Sequence, residues 1–240
     1  MLNLTRIPNK PMATIYDDFM TGGITTALLG TAGFRVVTTT GNAPVNPLVL
    51  YQAAVPGHPG VLGLKASFDG VAGYGDAWMQ LNPYPGSDSS FDHAAVCAAK
   101  DVRRVALAFK TPADITTDLT NTGIQFGLQY ADGNGTVQTD VYAGFGKTNF
   151  QLQIENNDTD MGVAIADSTW YMIEITINND IVVASINGNY HTHGKLSNLN
   201  AMYVPGLYMG IFDAGAPSTL TLQIDEFLFQ TADYVNRENG

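Results

Sequence analysis

S-T-W-Y-M-I-E-I-T-I-N-N-D-I-V-V-A-S-I-N-G, residues 168–188, is the stretch whose pattern decides the fold. Tyr171, Ile173, Ile175 and Ile177 fall on one face of an extended chain, while Met172, Glu174 and Thr176 fall on the other. That period of two is the signature of a half-buried strand. Asn-Asn-Asp turns the chain, a second alternating run follows, and Asn-Gly stops it. A bare two-stranded hairpin does not survive in water, so a second sheet must cover the apolar face, and the hairpin should form one edge of the resulting sandwich.

The same alternation recurs outward from this stretch. Ile124, Phe126, Leu128 and Tyr130 alternate with Gly and Gln, and Phe150, Leu152 and Ile154 alternate with Asn, Gln and Glu. Between them D-G-N-G (132–135) tolerates the positive φ of a hairpin turn, and T-V-Q-T-D-V-Y continues on the far side. Further strands are expected at Phe34–Thr39, Val61–Phe68, Ala77–Leu81, Val102–Lys110, Gly206–Phe212 and Thr219–Phe229. Ala94–Val105 could form a short helix, and Gly41–Gly60, rich in Pro, Gly and Asn, reads as a long loop.

In 240 residues, 45% are hydrophobic, 14% are charged, and 25 Gly and 11 Pro punctuate the chain. Short strands joined by turns fit these values, and no long segment carries a 3.6-residue period. The fold class expected is all-β, a two-sheet antiparallel jelly-roll sandwich. Residues 16–240 make its single domain and residues 1–15 an extended arm.

The arm contains Leu2, Leu4, Ile7, Met12 and Ile15, too apolar for a solvated tail, while Pro8 and Pro11 forbid a continuous helix. An extended apolar segment of this kind is suited to docking on a neighbouring chain. A net charge of −11 repels a phosphate backbone, so nucleic acid is excluded as a partner. No run of 18 apolar residues offers a membrane span, and the N-terminus lacks the pattern of a signal peptide, so synthesis in a cytoplasm is expected. Cys97 has no second cysteine to pair with and reads as a small buried hydrophobe.

T-W-Y-M-I-E-I-T-I, I-V-V-A-S-I-N-G and L-T-L-Q-I-D-E-F-L-F (220–229) are similar to the last strands of concanavalin A-like jelly rolls of the laminin-G and glucanase type. Y-D-D-F-M-T-G-G (16–23) and G-H-P-G-V-L-G-L-K-A-S (57–67) resemble segments of virion structural proteins of tailed bacteriophages. The resemblances imply a virion protein, decorating a capsid or forming a head or tail appendage, that acts through contacts with other virion proteins and with copies of itself. A lectin-like module that binds host glycan is the alternative, and a polysaccharide-degrading enzyme the third reading.

Catalytic residues are not expected. The glucanase pattern Glu-x-Asp-x-Glu, which places carboxylates on one face of a strand, is missing, and the four glutamates Glu155, Glu174, Glu226 and Glu238 lie far apart in sequence. Alginate-lyase-like jelly rolls carry Tyr-Phe-Lys and Gln-x-His, which V-Y-A-G-F-G-K (141–147) and Q-L-Q-I-E (151–155) do not match. His58, between Gly57 and Pro59, reads as a turn residue rather than a base. His191 and His193 have ligand spacing in an extended segment, but nothing beside them in sequence completes a tetrahedral shell. Asp158 and Asp160 could offer oxygens to calcium, although solvated turns are the simpler reading, and no other cofactor is expected. The remaining candidates are aromatics in polar surroundings, Tyr74, Trp78, Tyr84 and Tyr190, suited either to a sugar platform or to a protein interface.

Far-ultraviolet circular dichroism should be strand-dominated, and a spectrum with about a third helix, the share in an average globular protein, would sink the sandwich.

Overall fold

A computed structural model describes residues 13–19, 23–25, 28–30, 34–37, 48–52, 57–58, 60–68, 75–81, 97–117, 122–131, 137–145, 148–155, 157–197, 202–211 and 218–232. They form two antiparallel sheets. Sheet A contains β1 (Ala13–Asp17), β5 (Leu48–Gln52), β6 (Val61–Phe68), β9 (Val102–Lys110), β14 (Trp170–Asn178), β15 (Ile181–Ile186), β16 (Asn189–Lys195) and β18 (Ser218–Thr231). Sheet B contains β2 (Gly23–Thr25), β3 (Leu28–Gly30), β4 (Phe34–Val37), β7 (Gly75–Leu81), β8 (Cys97–Ala98), β10 (Thr122–Ala131), β11 (Val137–Phe145), β12 (Asn149–Ile154), β13 (Asn157–Ala164) and β17 (Met202–Ile211). Among the described residues the only helical pieces are two single 3-10 turns, at Ala99–Asp101 and Ile115–Thr117.

Sheet A runs β16-β15-β14-β9-β18-β6-β5, and sheet B runs β13-β12-β11-β10-β17-β7-β4-β3-β2. The 14-residue β18 is the longest strand. Its first half pairs with β6, its second half pairs with β1, and β9 lies along its other side.

The alternation read from residues 168–188 is the packing pattern. Tyr171, Ile173, Ile175 and Ile177 are buried, as are Phe150, Leu152 and Ile154 of the opposite sheet. Phe150 sits edge-on to Tyr171 at 4.8 Å between ring centroids, and Phe109 packs against both. Phe126 meets Phe227 at 89°, the edge-to-face geometry that aromatic quadrupoles favour.

Local chemistry explains the connections. Asn179 (φ 56°) turns β14 into β15, and Asn187 and Gly188 (φ 52° and 77°) turn β15 into β16, two successive left-handed residues being the requirement of a type I′ hairpin. Asn-Gly thus starts a second hairpin. β16, not the β14–β15 pair, is therefore the outermost strand on that side of sheet A. Asp17, 1% exposed, accepts a 2.8 Å bond from the Phe19 N–H, holding Phe19 at φ 52° with its ring in the core. Asp167 clamps Thr116 through backbone N–H and hydroxyl, both at 2.8 Å, and Glu155 clamps Ser197 the same way at 2.8 and 2.6 Å. The second clamp ties the β12–β13 turn of one sheet to the end of β16 in the other.

Several expectations are corrected. Leu48–Gln52, inside the expected loop, is a strand paired to β6, its apolar run outweighing the surrounding Pro and Gly. Cys97–Val102 is a short strand and one 3-10 turn rather than a helix. Asp158 and Asp160 lie on strand β13, not in a solvated turn, because Leu152 and its neighbours supply a backbone ladder for them. Ile15 belongs to the domain's own sheet, in register with Phe229 and packed against the core, so the proposed arm does not extend to it. Leu2, Leu4, Ile7 and Met12 lie outside the described residues.

Gly144 stands opposite Gln125 so tightly that a Cβ would overlap the Ile124 carbonyl oxygen, and both partners are backbone. Gly144→Ala should lower the free energy of unfolding by about 1–3 kcal/mol, the usual cost of overpacking. Urea denaturation checks this, and an unchanged midpoint would refute the close approach.

Candidate functional site

The inward positions of β10, β11 and β12 are apolar, so what they offer chemically is on the face turned away from the core. Gln125 and the buried Gly123 and Gly127 occupy the outward positions of β10, Tyr142 and the buried Gly144 those of β11, and Asn149, Gln151 and Gln153 those of β12. Asp158 and Asp160 of β13 are in register with Gln153 and Gln151. Two rows therefore cross the strands. One is Asp158, Gln153, Tyr142, Gly127 and the other Asp160, Gln151, Gly144, Gln125. In β17, Gly206 continues the first row and Tyr208 the second, and Trp78 of β7 is in register with Tyr208.

At Gly127 and Gly144 the place of a Cβ is taken by the backbone of the facing strand, and Gln125, Tyr142, Gln151 and Gln153, each half-buried, form a polar band around these glycines. Burial pushes the Tyr142 hydroxyl up to about 12, with the Asp158 charge adding to the effect and a hydrogen bond from Gln125 opposing it. Tyr142 therefore stays protonated at neutral pH and is a hydrogen-bond donor, not a base. Asp160 is held ionised, its carboxyl lowered first by the Gly162 N–H at 2.7 Å and then by the Asn149 amide at 3.0 and 3.2 Å. Three glutamine amides, an asparagine and a phenol can donate and accept together, which is the chemistry of hydroxyl recognition.

A second constellation lies on the outer face of sheet A. His58 Nδ1 meets Asp225 Oδ2 at 2.6 Å, and the imidazole stacks on Trp170 at 3.7 Å and 12°. Asp225 is 4% exposed and sits at a bulge of β18, where two residues oppose one of β9 and the extra carboxylate is turned out of the alternation. The contacts fasten the turn at Gly57 (φ 86°) to the sheet just before β6 begins. Tyr16, half-exposed, hydrogen-bonds Glu226, and its hydroxyl is raised by burial and then by the Glu226 and Asp18 charges. Glu174 pairs with Arg104 on the same face.

The structure does not bring the sequence candidates Tyr190, His191 and His193 into this band. Tyr190 is 58% exposed on β16 and bonds His193 Nδ1 at 2.5 Å. A bulge skips His191, so Ser185 pairs with Tyr190 and Ala184 with Thr192. The extended spacing that would align His191 with His193 is thereby broken. Among the described residues no group of three or more His, Cys, Asp or Glu could hold a metal ion. Tyr74 and Tyr84 lie outside the described residues, and Trp78 is placed by its backbone register alone. Gln125, Tyr142, Gln151 and Gln153 were not singled out from the sequence, where they appear as the polar half of an alternation; the available signal was glycine at positions where other outward residues are polar.

The chain folds as a jelly roll of the concanavalin A-like, glucanase type. It is similar over 95% of its length to 90% of a Shewanella oneidensis protein of unknown function, with a TM-score of 0.59 at 16% identity. It is also similar to a family 7 alginate lyase solved in complex with product, over 75% of this chain and 82% of that one, with a TM-score of 0.53 at 12% identity. A Bacillus licheniformis β-glucanase matches over 90% of this chain and 97% of its own, with a TM-score of 0.52 at 11% identity. No protein-family model matches the sequence, and no curated protein sequence does.

Carbon-13 NMR of tyrosine-labelled protein should show one Cζ resonance, lost in Tyr142→Phe, that titrates well above the ordinary value of about 10 for tyrosine. A midpoint at the ordinary value would show that the phenol is not buried in this face.

Proposed function

We propose that the protein is a non-catalytic carbohydrate-binding module that holds a polysaccharide against the outer face of sheet B. The observation that carries this reading is the polar band, in which Gln125, Tyr142, Gln151 and Gln153 stand in register around buried glycines. Sugar hydroxyls give and take hydrogen bonds at once, and side-chain amides are their natural counterparts. The β-glucanase and alginate lyase neighbours act on polysaccharides, and their likeness supports the reading at the level of the fold, while the site has to be argued from its own residues.

Tyr142 supports binding over cleavage. A phenol pushed up to about 12 is a poor general base at neutral pH, and Asp160 is fixed by Asn149 and Gly162 rather than poised beside a bond to be broken. On a tailed-phage particle, the setting implied by the N-terminal resemblance, the same face would serve attachment to the host. The two motifs behind that resemblance have structural roles here: Asp17 and Phe19 build a capped turn, and His58 anchors the start of β6.

Affinity electrophoresis through gels containing a panel of polysaccharides should retard the protein in at least one. Tyr142→Ala and Gln153→Ala should each weaken retardation by about tenfold, the loss of a single net hydrogen bond. No new reducing ends should appear on prolonged incubation. Undiminished retardation of both variants would move the site elsewhere, and steady release of new ends would overturn the non-catalytic reading.

A further inference from the structure

The polar band also states what charge its ligand carries. Resting on the glycan reading above, we propose that the ligand is an uncharged polysaccharide lying across strands β10 to β13, and that uronate-containing chains are excluded.

The described polar groups of this band carry no positive charge. Among the described side chains of this face the polar groups are Gln125, Tyr142, Asn149, Gln151 and Gln153 together with Asp158 and Asp160, with no Lys or Arg. A uronate carboxylate needs a charge-assisted donor to replace its water, and amide or phenol donors replace only part of that hydration.

Negative charge, by contrast, is close. The Asp158 carboxylate is in register with Gln153, which adjoins Tyr142, and its charge is felt at the Tyr142 hydroxyl. A ligand carboxylate in hydrogen-bond reach of that hydroxyl would meet the same field with the same unfavourable sign. Asp160, held ionised by Gly162 and Asn149, extends the charge along the edge. A neutral sugar meets no such penalty, because a carboxylate also accepts hydrogen bonds from its hydroxyls. The direction follows from the rows. Neighbouring strands are about 4.8 Å apart, close to the length of one pyranose unit in an extended chain, so a chain crossing the strands presents one sugar to each.

The test is calorimetry of the full chain against matched oligosaccharides of β-glucan, xylan and mannan, and against oligomers of alginate and polygalacturonate. Saturable binding of at least one neutral oligomer is expected, insensitive to added salt, with uronates at least about tenfold weaker. Asp158→Asn with Asp160→Asn should narrow that gap, strengthening uronate binding while any change in neutral binding stays smaller than the gain for uronates. Uronates binding as tightly as the neutral oligomers, or a gap indifferent to the double substitution, would overturn this inference and leave glycan binding standing. Absence of binding to every oligomer, neutral and anionic, would remove the glycan reading and this inference with it.

Discussion

Phe109, Phe150 and Tyr171 hold the two sheets to one another, and everything else about the molecule follows from the need to keep such rings out of water. Each comes from a different strand, and each reaches the interior only because its strand alternates. The same alternation that sends Tyr171 inward sends Trp170 and Met172 outward, and the one that buries Phe150 turns Gln151 to the outer face. Core and surface chemistry are therefore written on the same strands one residue out of phase, and a one-residue slip would exchange them. The Tyr171 hydroxyl shows how a polar group is kept in such an interior: it accepts from the Ala166 N–H at 3.0 Å and lies 3.4 Å from the Ala164 carbonyl.

The two outer faces differ in the groups they present. On sheet A the outward positions of β9 are filled by Arg104, Ala106, Ala108 and Lys110, and Arg104 is paired with Glu174, giving a surface closed by its own contacts. On sheet B the outward positions of β10 and β11 include Gly123, Gly127 and Gly144 beside Gln125 and Tyr142. Gly127 and Gly144 also allow a backbone approach that any side chain would block. The polar groups of this face are thus set among glycines that strand packing requires.

Most of the architecture is legible in the sequence because it is local. β6 and β9 match their expected spans residue for residue, and the β14–β15 hairpin is readable from Asn179 and its neighbours. Three kinds of feature escape such reading. Short strands such as β5 owe their state to a partner rather than to their own composition. Bulges, which shift Asp225 and skip His191, depend on the strand opposite. Contacts such as His58 with Asp225 span 167 positions, and nothing near either residue announces the other. The candidate site was half visible, since Gln125, Gln151 and Gln153 stand out as polar partners of apolar neighbours, but that they stand together is a fact of register.

Strand β18 sets a timetable as well as a position. It is the shared partner of β1, β6 and β9, and Ala13 finds its register mate only in Thr231. Until residues 218–231 have left the ribosome, β6 and β9 each present an open edge and the middle of sheet A is missing. Such long-range pairing makes folding slow and leaves unpaired strand edges exposed to other chains meanwhile. During synthesis the nascent chain is thus most vulnerable at the strands that become the most protected, and chaperone engagement or premature self-association would be decided there.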